Sequence, residues 1–249
     1  MRTMRLKQLE HLIEEKEFVS IDEICERFGV HVNTARADIK ELVRKGVAEK
    51  QYGGVRCVKT ALPTTFVERD QTQRSAKEII GEKAAHLLEE GDVIFVDSGT
   101  TTAQLFSRER PLPEHLTVIT NNLNVVFWVL QNTDYLVFVL PGKAERQLNS
   151  IASLETIDSI RNYNIQKAFI GCRRIAANGA LTSASSVDAK VKETVISMSQ
   201  RTYLMADAEK VGLPELYSFS NLSQIDCWIC DKTAGMVEEI AKNNNVKLV

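Results

Sequence analysis

The segment Asp97-Ser98-Gly99-Thr100-Thr101-Thr102 combines a carboxylate, a glycine and a run of hydroxyls directly after the apolar stretch Ile94-Phe95-Val96. At a strand end that opens a helix, the first-turn N–H groups have no carbonyl to bond. Such a loop holds an anion such as a phosphate, with the hydroxyls as further donors; the same residues also read as an ordinary Ser/Thr helix cap. Asn121 and Asn122 follow a second apolar run, where their amides suit sugar hydroxyls or simply a turn. Asp207 and Lys210, within Ala206-Asp207-Ala208-Glu209-Lys210-Val211-Gly212, place a cation after a third run, either beside the same phosphate or in a solvated turn.

Other chemistry is thin. Cys227-Trp228-Ile229-Cys230 has redox or metal spacing, but it falls in an apolar strand, where residues three apart face opposite sides. His11, His31, His86 and His115 have no ligand spacing, and His86 beside an apolar helical stripe reads as a packed histidine. There is no G-x-S-x-G elbow for a nucleophilic serine. No catalytic residue, no metal site and no cofactor is expected.

The elements that position these loops alternate between helix and strand. Ala76, Ile79, Ile80, Ala84, Leu87 and Leu88 form an amphipathic helix, followed by a strand at Val93–Val96. Further strands are expected at Leu116–Thr120, Tyr135–Leu140, Lys167–Ile170, Thr202–Ala206, Ile225–Cys230 and Val246–Leu248, with helices near Thr101–Ser107, Asn124–Gln131, Val187–Ser199 and Ala234–Lys242. Apolar strands alternating with helices imply an α/β domain with a mostly parallel sheet covered on both faces. In such a sheet, ligands bind outside the carboxyl ends of the strands.

The N-terminal sixty residues follow another plan. Residues 10–26 carry seven acidic residues against Lys16, whereas 31–59 carry seven Lys/Arg against Asp38, Glu41 and Glu49. The net charge of −2 hides this local basic excess. Leu6, Leu9 and Ile13 mark a first helix. Ser20-Ile21-Asp22-Glu23 reads as a capping box opening a second, which Gly29 ends. A third runs from about Val32 to Lys45 and stops at Gly46, with Val32, Ala35, Ile39, Leu42 and Val43 inward and Asn33, Arg36, Ala37, Lys40 and Arg44 outward. Two short strands about Gln51-Tyr52-Gly53-Gly54 complete a winged helix-turn-helix, whose third helix enters the major groove of DNA while the wing touches the backbone. A plain three-helix packing module is the simpler alternative.

At 249 residues the chain suits two domains. The expected division is 1–59, a connecting stretch 60–73 around Pro63, and 74–249. With 44% hydrophobic and 26% charged residues, disordered and fibrous classes are excluded. Five scattered cysteines fit a reducing compartment. The charged start gives neither a signal peptide nor a membrane span, so a cytoplasmic location is expected.

The stretch SIDEICERFGVHVNTARADIKELVRKGVAEKQYGGV, with DSGTTT, TNN, VDAKVKE and ADAEKVG in that order, resembles the DeoR family of bacterial transcription regulators along essentially the whole chain. The resemblance implies a winged helix-turn-helix joined to a sensor of the sugar-phosphate isomerase and CoA-transferase-like fold. It further implies a repressor of a sugar-catabolism operon, controlled by a phosphorylated sugar. Thr34, Arg36 and Asp38 occupy the family's T-x-R-R-D pattern, with Ala37 in place of the second Arg and His31 in place of the usual capping Ser; Tyr52-Gly53-Gly54 match the wing turn. Gly99, Thr100, Thr101, Asn121, Asp207 and Lys210 match the sensor stations, with Glu209 and Val211 replacing the usual Ser and Phe. The N-terminal half most resembles repressors of inositol catabolism.

The expected partners are a double-stranded DNA operator, contacted by Asn33, Thr34, Arg36, Lys40, Arg44, Tyr52 and Gly53, and a phosphorylated sugar. The sugar phosphate is expected at Asp97, Ser98, Gly99, Thr100, Thr101, Thr102, Asn121, Asn122, Asp207 and Lys210. A homo-oligomer, dimer or tetramer, follows from the weak selectivity of one recognition helix. The competing class is a sugar-phosphate isomerase or transferase with a fused interaction domain, which would need a positioned general base such as Asp97 or Asp207.

Overall fold

A computed structural model describes residues 2–16, 18–44, 48–57, 65–106, 112–146 and 148–249. The chain divides into two compact units, Met1–Pro63 and Thr64–Val249.

In the first unit, α1 (Arg2–Lys16) buries Leu6, Leu9, Leu12 and Ile13. A short strand, β1 (Phe18–Ser20), leads into α2 (Ile21–Phe28). Ser20 Oγ accepts the Glu23 N–H at 3.1 Å, as a cap should. The reciprocal half of the expected capping box is replaced, because Lys16 Nζ holds the Glu23 carboxylate at 2.6 Å. Gly29, in the left-handed region at φ 59°, ends α2. α3 (Val32–Arg44) buries Ala35, Ile39 and Leu42 against the same core. Its expected extension to Lys45 and stop at Gly46 lie outside the described residues. β2 (Ala48–Gln51) and β3 (Gly54–Cys57) form the wing hairpin, and β1 joins the outer side of β3 to give the order β1-β3-β2. Gly54 is required by that pairing, since a Cβ there would run into the Val19 carbonyl and the Phe18 ring.

The second unit opens with α4 (Phe66–Gln71), inside the stretch the sequence reads as unstructured. Thr65 and Glu68 cap each other: Thr65 Oγ1 accepts the Glu68 N–H at 3.3 Å and Glu68 Oε2 accepts the Thr65 N–H at 2.9 Å. A helix of six residues is too short to display a period, which is why pattern reading passes over it. Residues 60–64 of that stretch lie outside the described residues. Then follow α5 (Arg74–Ala85), β4 (Val93–Val96), α6 (Thr100–Ala103), β5 (Thr117–Thr120), α7 (Leu123–Asn132), β6 (Leu136–Val139), β7 (Ala144–Glu145), β8 (Ser150–Ile151) and α8 (Leu154–Ile160). The chain continues through β9 (Ile165–Ile170), β10 (Arg174–Ile175), β11 (Ala180–Ser183), α9 (Ser186–Met198), β12 (Ser199–Met205), β13 (Tyr217–Asn221), β14 (Cys227–Ile229), α10 (Met236–Asn243) and β15 (Lys247–Leu248). His86, just past α5, is exposed rather than packed.

Seven strands form one wholly parallel sheet in the order β15-β14-β12-β9-β4-β5-β6. The pleat sends Ile94 and Val96 into the core beneath α5, α6 and α7, and Phe95, Ile170 and Leu204 into the core beneath α8, α9 and α10. Cys227 and Cys230 fall in opposite cores, as their strand position implies. A small antiparallel sheet, β10-β11-β13, packs Ile175, Leu181 and Phe219 onto the second core. It escapes the sequence reading because its strands are short and mix polar with apolar residues, as in Tyr217-Ser218-Phe219-Ser220-Asn221. Strands run outward from β4 through β5 to β6 in one direction and from β9 through β12 in the other. The carboxyl ends of β4 and β9 therefore flank the topological switch point.

Candidate functional site

The first unit presents one polar helix face. On α3, Asn33, Arg36, Ala37 and Lys40 are exposed and Thr34 is half-buried. The side chain of Arg44 lies outside the described residues. His31 takes over the missing serine cap: its Nδ1 accepts the Asn33 N–H at 3.3 Å, and its carbonyl receives Thr34 and Ala35. Asp38 is buried on the opposite side, where Arg5 Nε of α1 donates to it at 2.7 Å. Asp38 is thus a brace that fixes α3 against α1 and leaves the outward face to its neighbours. Tyr52 stands fully exposed at the wing tip beside Gly53. Lys50 and Arg56, which the sequence reading did not single out, are exposed on the same hairpin.

The second unit gathers buried polar groups at the switch point. Asp97 leaves β4 with its carboxylate fully buried; Oδ1 accepts Lys192 Nζ at 2.8 Å and Oδ2 accepts the Gly171 N–H at 3.0 Å. Lys192, on α9, also donates to Asp188 Oδ1 at 2.8 Å, and Ser183 donates to Asp188 Oδ2 at 2.7 Å. Burial pulls the Lys192 pKa down, but Asp188 and Asp97 outweigh it and hold the pKa above its usual value. Burial pushes Asp188 up, yet Lys192 and the hydroxyl donors bring it below the ordinary carboxylate range. This is a stitch between β4, β9 and α9, and it shapes the loop that opens α6.

Two of the expected ligand residues hold that loop from behind. Thr102 Oγ1 donates to the Asp97 and Gly99 carbonyls at 2.7 and 2.9 Å. Asn122 Nδ2 donates to the same two carbonyls at 3.1 and 3.2 Å, while its Oδ1 caps α7 at the Asn124 N–H, 3.0 Å away. Gly99 has an ordinary φ of −72°, so its role is room rather than a special turn: a Cβ would press on Thr102 Oγ1 at 3.2 Å. The N–H groups of the first turn of α6 remain without intrahelical acceptors.

Other atoms at this edge have no partner. Both carboxylate oxygens of Asp207, a residue 1% exposed, lack a donor. Asn121 gives its amide to the Ile151 carbonyl at 3.0 Å, but its Oδ1, like Ser150 Oγ, is buried without a bond. Lys210 is half-buried in the turn after β12, and Glu209 is exposed, its carbonyl accepting Arg174 at 2.9 Å.

Three cations escaped the sequence reading: Lys192, described above, and two on the first helices of this unit. Lys77 of α5 is buried with its ammonium on the Arg69 carbonyl; burial first, then Lys210, lowers its pKa to about 8. Arg69 of α4 is pulled below its usual value by burial and by Arg173. The available signals were a lysine on the apolar stripe of α5 and, for Asp188 and Lys192, the i,i+4 spacing within VDAKVKE. Among the described residues there is no cluster of three metal-ligating side chains, and no helix is long and apolar enough to cross a membrane.

Two family models match the chain: a DeoR-like helix-turn-helix domain over residues 5–61 and the DeoR C-terminal sensor domain over residues 72–232. The HTH-type transcriptional regulator IolR of Bacillus subtilis is 28% identical over 91% of this chain and 90% of its own. The glycerol-3-phosphate regulon repressor of Escherichia coli is 26% identical, covering 92% and 91%, and the lactose phosphotransferase system repressor of Streptococcus mutans is 31% identical, covering 91% of each.

Proposed function

This chain belongs to the DeoR family of transcriptional regulators, and on that premise we propose that it is a repressor of a sugar-catabolism operon whose DNA affinity is set by a phosphorylated sugar. Asn33, Thr34, Arg36, Lys40 and Arg44 of α3 read and grip the major groove, while Tyr52 and Gly53 of the wing meet the backbone. The DNA-binding domain lies within Met1–Pro63 and the sensor within Thr64–Val249, so α4, in the stretch 60–73 expected to connect them, goes with the sensor. Two recognition helices on a pseudo-palindromic site require a homo-oligomer. The protein acts in the cytoplasm, where its operator is.

One observation carries the effector reading: at the carboxyl edge of the sheet, the Asp207 carboxylate and Asn121 Oδ1 are buried acceptors with no protein donor. Buried polar groups are satisfied as a rule, so such acceptors await a ligand's hydroxyls. The phosphate sits at Ser98, Gly99, Thr100 and Thr101 with Lys210 as a further charge, and Asp97, Thr102 and Asn122 hold that loop in shape. Asp97 is occupied by Lys192, whereas Asp207 stays open to a ligand; the similarity along nearly the whole chain to transcriptional regulators supports a binding protein over an enzyme.

Sugar phosphates and their unphosphorylated parents, compared for thermal stabilisation of the full chain, test the reading. A phosphorylated ligand at a hundredfold excess over its Kd should stabilise by about 2.7 kcal/mol and its parent by far less. Equal effects, or none across the sugar phosphates, would overturn it. On the DNA side, Arg36→Ala should cost roughly 1–3 kcal/mol of specific binding, whereas Lys40→Ala should weaken all sequences alike and flatten the salt dependence.

A further inference from the structure

Arg69 carries a donor edge for which the protein supplies no acceptor. Its Nε and Nη2, the two nitrogens along one side of the guanidinium fork, are both buried and unbonded. The Phe66 ring lies 5.8 Å from the guanidinium carbon and supports one face of the group. The carboxylates within its electrostatic reach, Asp97 and Asp188, are committed to Lys192 and to hydroxyl donors. Two parallel N–H donors on a rigid fork match two oxygens of one oxyanion.

The position of this edge is fixed by packing. α4 lies against α6, and Gln104, just past α6, donates to Asp70 Oδ1 at 3.4 Å. Arg69 therefore stands beside the loop that opens α6. Lys77 bonds the Arg69 carbonyl, and Lys210 is close enough to Lys77 to depress its pKa. Arg69 and Lys210 each lie within electrostatic reach of Lys77, and Arg173 within reach of Arg69; this concentration of positive charge suits the double charge of a phosphate monoester better than the single charge of a carboxylate.

We propose that Arg69 receives two oxygens of the effector's phosphate side-on, at the anion position offered by the loop from Ser98 to Thr101, with Lys77 and Lys210 adding charge. This rests on the reading of that loop as the effector site. Since α4 is the first helix of the second unit in chain order, an effector held by Arg69 also fixes the helix at which the chain enters the sensor.

The test uses the full chain with inorganic phosphate as probe, reading calorimetric affinity and the melting temperature with and without phosphate. Arg69→Gln should melt at or above wild type without phosphate, because it removes a buried donor edge that has no acceptor. It should nevertheless bind phosphate at least about tenfold more weakly. Arg69→Lys keeps the charge but lacks the edge, so it should also weaken binding by about tenfold. Wild-type phosphate affinity in both variants would overturn the proposal, as would an Arg69→Gln that melts well below wild type yet binds normally. Loss of phosphate binding in Thr101→Asp alone would leave the loop reading standing and Arg69 excluded. Loss in the Arg69 variants with Thr101→Asp unaffected would overturn the shared position, and a wild type unmoved by phosphate would overturn both.

Discussion

The two ends of the parallel sheet each contain a buried lysine held by two carboxylates, and they differ in what is left over. At the amino end, Lys167 Nζ donates to Asp92 and Glu89 at 2.7 Å each and to the Leu87 carbonyl at 2.9 Å. All three ammonium protons are used. At the carboxyl end, Lys192 joins Asp97 and Asp188 with similar geometry, yet around it the donors of Arg69 and the acceptors of Asp207, Asn121 and Ser150 have no partner. Among the described residues of this unit, no buried side-chain polar atom without a partner lies elsewhere. A closed network belongs to the fold; an open one at a strand's carboxyl end is a place for a ligand.

The contrast can be broken by mutation. Lys192→Met should cost the sensor roughly 3–5 kcal/mol in denaturant unfolding, because it strands two buried carboxylates. Lys167→Met should cost less, roughly 1–3 kcal/mol, since the Glu89 side chain is 76% exposed and rehydrates, leaving mainly Asp92. Equal losses would mean that the two networks are built alike. Asp207→Asn should do the reverse: the unliganded protein melts at or above wild type, while affinity for the sugar phosphate falls at least about tenfold. A strongly destabilised Asp207→Asn would make this carboxylate a piece of the fold.

The strands of the large sheet were legible because each is an apolar run bounded by turn residues, and the winged unit because its caps and stripe agree with one another. The phosphate loop was legible as a place, but the division of labour within it was not. Nothing in DSGTTT distinguishes Thr102, whose hydroxyl is spent on the loop's own carbonyls, from Thr101; that depends on which way a four-residue helix turns. Arg69, Lys77 and Lys192 were illegible for another reason. Arg69 and Lys77 read as solvated charges on mixed helices until the fold buries them, and although Lys192 has Asp188 four residues before it, its second partner Asp97 lies far away in sequence. The strand β1 and the sheet β10-β11-β13 are held by pairing rather than by any pattern of their own.

A smaller effect sharpens the same comparison through pH. Lys77 is protonated in the folded state only below about pH 8, against 10.5 for an ordinary lysine. Between these values the unfolded chain binds more protons, so Lys77 makes stability rise with pH, and Lys77→Met should remove that contribution. An oxyanion beside Lys77, Arg69 and Lys210 adds to the upward pull of Asp70 and Asp207 and draws a proton onto Lys77; effector affinity should therefore fall as pH passes about 8. An affinity unchanged between pH 7 and 9, values chosen to bracket that shift by about one unit each way, would place the anion elsewhere.

The central claim is that the carboxyl-edge site senses a phosphorylated ligand and that the separate winged unit reports it. Operator affinity of wild type and Thr101→Asp, each with and without the stabilising sugar phosphate, tests this most directly. A carboxylate in the first turn of α6 suits the helix but occupies the anion's place. Thr101→Asp should therefore bind operator as tightly as unliganded wild type and show no response to the sugar phosphate, remaining in permanent repression. A Thr101→Asp protein that still releases DNA when the sugar phosphate is added would contradict the account and reduce the loop to a helix cap.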